Sequence, residues 1–124
     1  MKQINEEITE DYVSFEIAQL LEEKGFDGDC DYWYDEYGER CCSPSVISVE
    51  CWCPSQSLAL KWLREVHNIF IEINVSIDLN GSHHFNYSIL DKECKYIRKG
   101  YTSFDWNYEQ AIEAAIDYVL KNLI

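Results

Sequence analysis

Cysteine has the most varied chemistry of the residues in this sequence, because a thiolate can bind a metal, attack an electrophile or form a disulfide. Six cysteines occur among 124 residues. Four of them fall into two close pairs, Cys41 with Cys42 and Cys51 with Cys53. Four thiolates are a ligand set that Zn²⁺ accepts in tetrahedral geometry. These four positions are therefore a candidate metal site.

The spacing within the two pairs argues against zinc. Structural zinc sites commonly use ligands with about two to four residues between them, because a turn then directs both sulfurs to one point. Vicinal cysteines and a C-x-C pattern do this less readily, although Cys51 and Cys53 would share one face of a strand. We expect free thiols that pack as small hydrophobic side chains, and no cofactor. A metal- or thiol-dependent protein, with Cys94 or a histidine as a further ligand, stays as the alternative.

Other patterns with chemical potential are incomplete. The alternating acids that begin at Asp27 match the start of a calcium loop. Tyr32 stands where that loop needs glycine, however, and Gly38 where it needs a bidentate glutamate. No nucleophile, zinc-protease, P-loop or dinucleotide-binding motif is present. The three histidines, His67, His83 and His84, are expected at surface or capping positions. The sequence therefore predicts a protein that is not an enzyme.

Charge is the most informative global property of the chain. The formal net charge is -13, from 23 acidic and 10 basic residues. Residues 5–39 hold 13 of the acids and a single base, Lys24, whereas residues 51–124 hold nine acids and seven bases. Phosphate binding needs clustered cations, and only Lys92, Lys95, Arg98 and Lys99 come near to that. We therefore expect no direct nucleic-acid binding, no membrane binding and a basic protein partner.

The most distinctive part of this acidic segment interleaves carboxylates with large aromatic rings. Aromatic side chains are common interface anchors, and adjacent carboxylates select lysine or arginine through charge and cation–π contacts. The alternative is a core hairpin whose acids face water. The residues predicted to bind the partner are Asp29, Asp31, Tyr32, Trp33, Tyr34, Asp35, Glu36 and Tyr37.

Local signals in the first half of the chain predict a helix, a hairpin and a strand. Thr9 is the expected N-cap of the helix, and Gly25 followed by Phe26 is the expected C-terminal stop. A hairpin with a turn at residues 35–38 should pair residues 30–34 with residues 40–42. Alternating β-branched residues predict a strand over residues 46–53, ended by Pro54.

The second half of the chain has stronger periodicity. Ser55 caps a helix that runs to about His67, and Asn107 begins the last helix with a capping box. Strands are predicted over residues 69–77, 83–90 and 94–99 as an antiparallel meander. The expected fold is α+β, a single domain over residues 1–124 in which an antiparallel sheet, the hairpin plus the three-stranded meander, packs against about three helices.

One helix and the strand after it resemble a pattern in small uncharacterised proteins of gut-bacterial phages and mobile elements. The helix reads Gln-Ser-Leu-Ala-Leu-Lys-Trp-Leu-Arg-Glu-Val-His-Asn over residues 56–68 and precedes the alternating strand of residues 69–73. Residues 12–16 with 24–26 and the closing helix at 108–124 also match, so the resemblance covers about half of the chain. It implies an accessory protein of a mobile element in a bacterial cytoplasm, and no activity, catalytic residue or cofactor.

The leading hypothesis is a small, non-catalytic interaction protein. Its acidic face, contributed by the first helix and the hairpin after it, would bind a basic surface on another protein. The absence of a signal-like apolar run near the first residue favours a cytoplasmic location. Two structural observations separate this hypothesis from the thiol alternative: the positions of the four sulfurs, and whether the acids share one surface.

Overall fold

The computed structural model of the protein describes residues 9–28, 30–42, 49–103 and 105–124. These described residues form three helices and two three-stranded antiparallel sheets, which confirms the predicted α+β class. In chain order the elements are α1 (Phe15–Glu23), β1 (Trp33–Tyr34), β2 (Arg40–Cys41), β3 (Cys51–Trp52), α2 (Gln56–His67), β4 (Phe70–Ile77), β5 (His83–Leu90), β6 (Tyr96–Thr102) and α3 (Tyr108–Asn122).

Helix α1 begins at Phe15, so the predicted start at Thr9 is wrong. Ser14 is the N-cap, and its hydroxyl accepts the N–H of Ile17 at 3.2 Å. The residues before Ser14 are extended because they pair with the segment ahead of α2. The N–H of Val13 donates to the carbonyl of Pro54 at 3.1 Å, and the N–H of Gln56 donates to the carbonyl of Asp11 at 2.8 Å.

The other helix boundaries follow local rules and match the prediction. After α1, Gly25 adopts φ 93° and the N–H of Phe26 donates to the carbonyl of Leu21, as in a Schellman ending. Ser55 caps α2 by accepting the N–H of Leu58 at 3.1 Å. At the start of α3, Asn107 and Gln110 each accept the other's main-chain N–H at 2.8 Å, which completes the capping box.

Three hairpin turns share one design, in which an aspartate occupies the first position. The aspartate side chain accepts the main-chain N–H groups two and four residues later, at 2.8 to 3.0 Å. The residue three positions after the aspartate has positive φ: Gly38 at 76°, Gly81 at 83° and Cys94 at 63°. The aspartates are Asp35, Asp78 and Asp91.

The larger sheet has the order β4-β5-β6 and carries the helices on one face. Strands β4 and β5 pair in regular register from Phe70 opposite Leu90 to Ile77 opposite His83. Helix α3 packs against β5 and β4, and α1 packs against α3. The third strand starts at Tyr96, later than predicted, because residues 91–95 form the turn.

The smaller sheet, with the order β2-β1-β3, extends the core beside α1. The ring of Phe15 in α1 meets Tyr34 of β1 edge-on, with ring centroids 5.3 Å apart. Strand β3 is only two residues long, and residues 43–48 of the predicted strand and of the segment before it lie outside the described residues. Within the described ranges, no helix is long and apolar enough to cross a membrane.

Candidate partner-binding surface

Carboxylates line four neighbouring clefts whose volumes run from 230 to 370 Å³. Pockets that enclose a small molecule usually measure about 300–1,000 Å³, so these clefts lie at or just below the lower end of that range. The seven carboxylates that line them form the acidic band: Glu10, Asp11, Glu16, Glu23, Asp31, Glu113 and Asp117.

The clefts join into one band because they share walls. Glu10 lines two of them. Glu16 and Lys121 line the other two. The halves meet where the side-chain amide of Gln56 donates to Glu113 at 3.2 Å, since Gln56 lines one cleft and Glu113 the next. The band therefore runs from the segment before α1, past the start of α2, along α1 and α3.

A single basic side chain lies among the described lining residues of the band. Lys121 places its ammonium 2.9 Å from Asp117, and this hydrogen bond raises the pKa of Lys121. The pair neutralises one carboxylate, and the other six form no salt bridge within the described lining. A partner cation would meet a negative potential along the whole band.

Glu113 is the structural centre of the band. One carboxylate oxygen accepts the N–H of Ser14 at 2.8 Å and the other accepts the Gln56 amide. Gln56 is 6% exposed and also donates to the carbonyl of Glu109 at 2.9 Å. Glu113 thus ties the beginnings of α1 and α2 to α3.

Three of the residues predicted to bind the partner are exposed. Asp31 lies beside Glu10 in one cleft of the acidic band. Glu36 and Tyr37 are at the tip of the β1–β2 hairpin, where 81% of Tyr37 is exposed. Asp29 lies outside the described residues.

Tyr32 and Trp33 already have partners within the chain. The guanidinium of Arg40 lies 4.4 Å from the ring centre of Tyr12 and 5.0 Å from that of Tyr32. The cation–π contact that the sequence suggested for a partner at Tyr32 is therefore made by the protein's own arginine. Trp33 is half-buried and meets Trp52 edge-on, with ring centroids 6.1 Å apart.

Tyr34 and Asp35 hold the hairpin together. Tyr34 is buried, its hydroxyl donates to the carbonyl of Val13, and burial raises its pKa well above the ordinary value. The carboxylate of Asp35 accepts two N–H groups of the turn that follows it. Neither side chain is free for a partner. At these two positions the structure agrees with the alternative, in which the segment is a core hairpin.

The four paired cysteines do not converge on a common point. Cys51 and Cys53 are 2% and 0% exposed, and burial raises the pKa of both, that of Cys51 to about 12. Cys41 lies beside the carboxylate of Asp35, while Cys42 is exposed. Among the described residues, no group of three or more His, Cys, Asp or Glu side chains is arranged to hold a metal ion. The strand geometry that aligns Cys51 with Cys53 directs both into the core.

Two carboxylates of the band escaped the sequence analysis. Glu113 and Asp117 belong to α3, in a stretch with nearly equal numbers of acidic and basic residues. The charge count therefore selected residues 5–39 and not this stretch. Their spacing of four residues, which puts both on one face of a helix, is the signal that could have found them.

Comparisons with protein-family models, with curated proteins and with solved structures return no match. The resemblance to phage and mobile-element proteins therefore stays a prediction.

Proposed function

We propose that this protein is a non-catalytic interaction protein whose acidic band binds a basic surface on another protein. The observation that supports this most strongly is the run of six carboxylates that form no salt bridge within the described cleft walls. Complementary charge speeds association and rejects partners of the same sign. A partner rich in lysine and arginine fits this band, whereas nucleic acid and anionic membranes are repelled.

Exposed residues of the β1–β2 hairpin extend this surface. Gly38 of the turn packs on Phe15, so the hairpin tip is next to the first turn of α1, where Glu16 lines the band. Tyr37 supplies an exposed ring and Glu36 a carboxylate beside it. Such a pair suits an arginine side chain, which can stack on the ring while its charge faces the acid.

The proposed setting follows from the resemblance to proteins of phages and mobile elements. An accessory protein of such an element would act in the cytoplasm of a bacterial cell. A host protein that normally holds nucleic acid would present a basic surface to it, and the carboxylates of the acidic band would take the place of phosphates. A host defence protein is a partner of the same kind.

Affinity purification from the native cell at low salt, followed by titration with the purified partner, tests the proposal. Binding should weaken steeply as salt rises, because exposed charges are screened. The band variant carries Glu10→Lys, Glu16→Lys and Asp31→Lys. Three reversals at about 0.5–1 kcal/mol each should weaken binding at least about tenfold.

A second triple variant separates a specific surface from bulk charge. Glu65→Lys, Glu93→Lys and Asp105→Lys change the net charge by the same amount on exposed positions outside the four clefts. This variant should keep the affinity within about threefold, since distant charges are screened at physiological salt. Equal losses in both variants, or no loss in the band variant, would contradict the proposal.

A further inference from the structure

The two edges of the larger sheet differ in a way that concerns association. The β6 edge carries Lys99 and has shifts of register against β5, features that discourage edge pairing. The β4 edge is eight residues long, contains no proline, glycine or lysine, carries one charge at Glu72 and keeps regular register with β5 throughout. A long, mostly apolar edge of this kind is a template for another strand.

The hydrogen-bonding groups of that edge can be assigned from the β4–β5 turn. The N–H of Asp78 donates to the carbonyl of Ser82, so Asp78 directs its main chain towards β5. Antiparallel pairing alternates inward and outward main-chain groups, so the outward groups belong to Ile71, Ile73, Val75 and Ile77. None of these outward groups has a partner among the described residues.

We propose that β4 pairs antiparallel with β4 of a second copy about a twofold axis at Asn74. In this register residue 71 lies opposite 77 and residue 73 opposite 75, and the symmetry repeats both pairs. Each pair exchanges two hydrogen bonds, so every outward group from Ile71 to Ile77 is satisfied. A single chain thereby supplies both halves of a self-complementary interface, and the two sheets become one.

The side chains fit the same register. Val75 and Ile77 are 59% and 64% exposed on the face that carries the helices, and the pairing sets them beside Ile73 and Ile71 of the second copy. On the opposite face Asn74 meets its own copy and Glu72 meets Ser76, so like charges are not directly opposed.

The twofold axis also explains what covers the exposed tip of the β4–β5 hairpin. Leu79 at this tip is fully exposed. An antiparallel pair brings the tip of one copy beside Phe70, at the start of β4 in the other, and α2 ends three residues before Phe70, at His67. Val66, in the last turn of α2, is 57% exposed. Apolar side chains left in water by one chain therefore come near those of its twin.

Disulfide trapping tests the register. In a chain with Cys42→Ser and Cys94→Ser, Asn74→Cys sets two sulfurs at the axis, where non-hydrogen-bonded Cα atoms are about 4.5 Å apart. Ser76→Cys is the matched control, because its two copies are at least about 13 Å apart in this register. Asn74→Cys should cross-link at least ten times faster under mild oxidation. Equal rates, or no cross-link at position 74, would overturn the proposal.

Sedimentation over a wide concentration range tests the association itself. The native chain should pass from monomer to dimer, and Val75→Pro should remain monomeric because it removes an outward N–H while leaving the β4–β5 bonds in place. Val75→Thr keeps that N–H and should still dimerise. A native chain that stays monomeric throughout, or a proline variant that dimerises, would refute the pairing. If the proline variant does not fold, the cross-linking pair decides.

Salt dependence distinguishes this proposal from the acidic band. Two chains of net charge -13 repel each other, so added salt should strengthen the dimer. The same salt should weaken the binding of a basic partner. Each proposal can therefore fail without the other.

Discussion

Cys94 occupies a turn position that its two counterparts fill with glycine, and replacing it should stabilise the protein. Its φ of 63° lies in the left-handed region, which costs a residue with a Cβ about 1–2 kcal/mol. Glycine removes that cost but gives the unfolded chain more freedom, which offsets about 0.4–1 kcal/mol of the gain. Cys94 is exposed, so the replacement sacrifices no buried contact. Cys94→Gly should therefore add about 0.5–1 kcal/mol to the free energy of unfolding.

Urea unfolding, supported by thermal melting, measures this gain. For a chain of this length the melting temperature should rise by about 2–5 °C. Cys94→Ala is the control, because it removes the thiol but keeps a Cβ at the same φ, and its stability should match the native protein. A Cys94→Gly variant no more stable than Cys94→Ala would refute the reasoning.

The other two turns provide the reverse experiment. Gly81 has φ 83° and nothing within 4 Å of an added Cβ, so Gly81→Ala should lose about 0.5–1 kcal/mol from conformation alone. At Gly38 an added Cβ would lie 3.0 Å from the Phe15 ring. Gly38→Ala should therefore cost more than Gly81→Ala. Equal losses at the two positions would show that Phe15 yields without cost.

Three further predictions concern the thiols and the centre of the acidic band. Iodoacetamide should label the exposed Cys42 and Cys94 in the native protein and should not label the buried Cys51 and Cys53 until urea unfolds the chain. Mass spectrometry measures the labelling. Labelling of Cys51 in the native protein would contradict the prediction. Burial raises the pKa of Cys51 from 9.0 to about 12, so the unfolded chain releases a proton that the folded protein keeps. The contribution of Cys51 to the free energy of unfolding should be fully present below about pH 9 and should fall by roughly 1 kcal/mol per pH unit up to about pH 12. Cys53 and Tyr34 act in the same direction. A urea midpoint that stays constant from pH 8 to 11 would contradict this prediction. Glu113→Ala should lose about 0.5–1.5 kcal/mol of stability, because the exposed Ser14 N–H loses its acceptor to water and Gln56 loses one of its two acceptors. The half-buried Glu109 at the start of α3 contacts Gln56 only through its main-chain carbonyl, so Glu109→Ala should change stability by less than about 0.5 kcal/mol.

Local signals predicted most of the secondary structure because the atoms involved are close in the chain. The Gly25–Phe26 stop and the Asn107–Gln110 capping box use groups within a few residues of each other. Strand alternation located β4 and β5 for the same reason. The predicted start of α1 was wrong because residues 11–13 pair with residues more than 40 positions away in the chain. No rule based on neighbouring residues can detect such a pairing.

The predicted partner-binding residues fall into an exposed group and a group with partners inside the chain, and this division also depends on long-range packing. Asp31, Glu36 and Tyr37 are exposed, whereas Tyr34 packs in the core and Asp35 closes a turn. The repeated aspartate turn was readable in advance, because Asp35 and Asp78 each precede a glycine by three residues. The cation–π contact between Arg40 and the Tyr32 ring could not be predicted from the sequence, because it depends on how the hairpin folds back on residue 12.

The sequence by itself determined the sign of the charge, its concentration in residues 5–39 and the periodicity of the helices and strands. Composition and short-range spacing are sufficient for these properties. Only the tertiary structure decided which carboxylates share a surface, because it set Glu113 and Asp117 of α3 beside Glu16 of α1 and buried Cys51 and Cys53 away from Cys42. Those neighbours come from distant parts of the chain, and the packing of α1 on α3 and β3 brings them together.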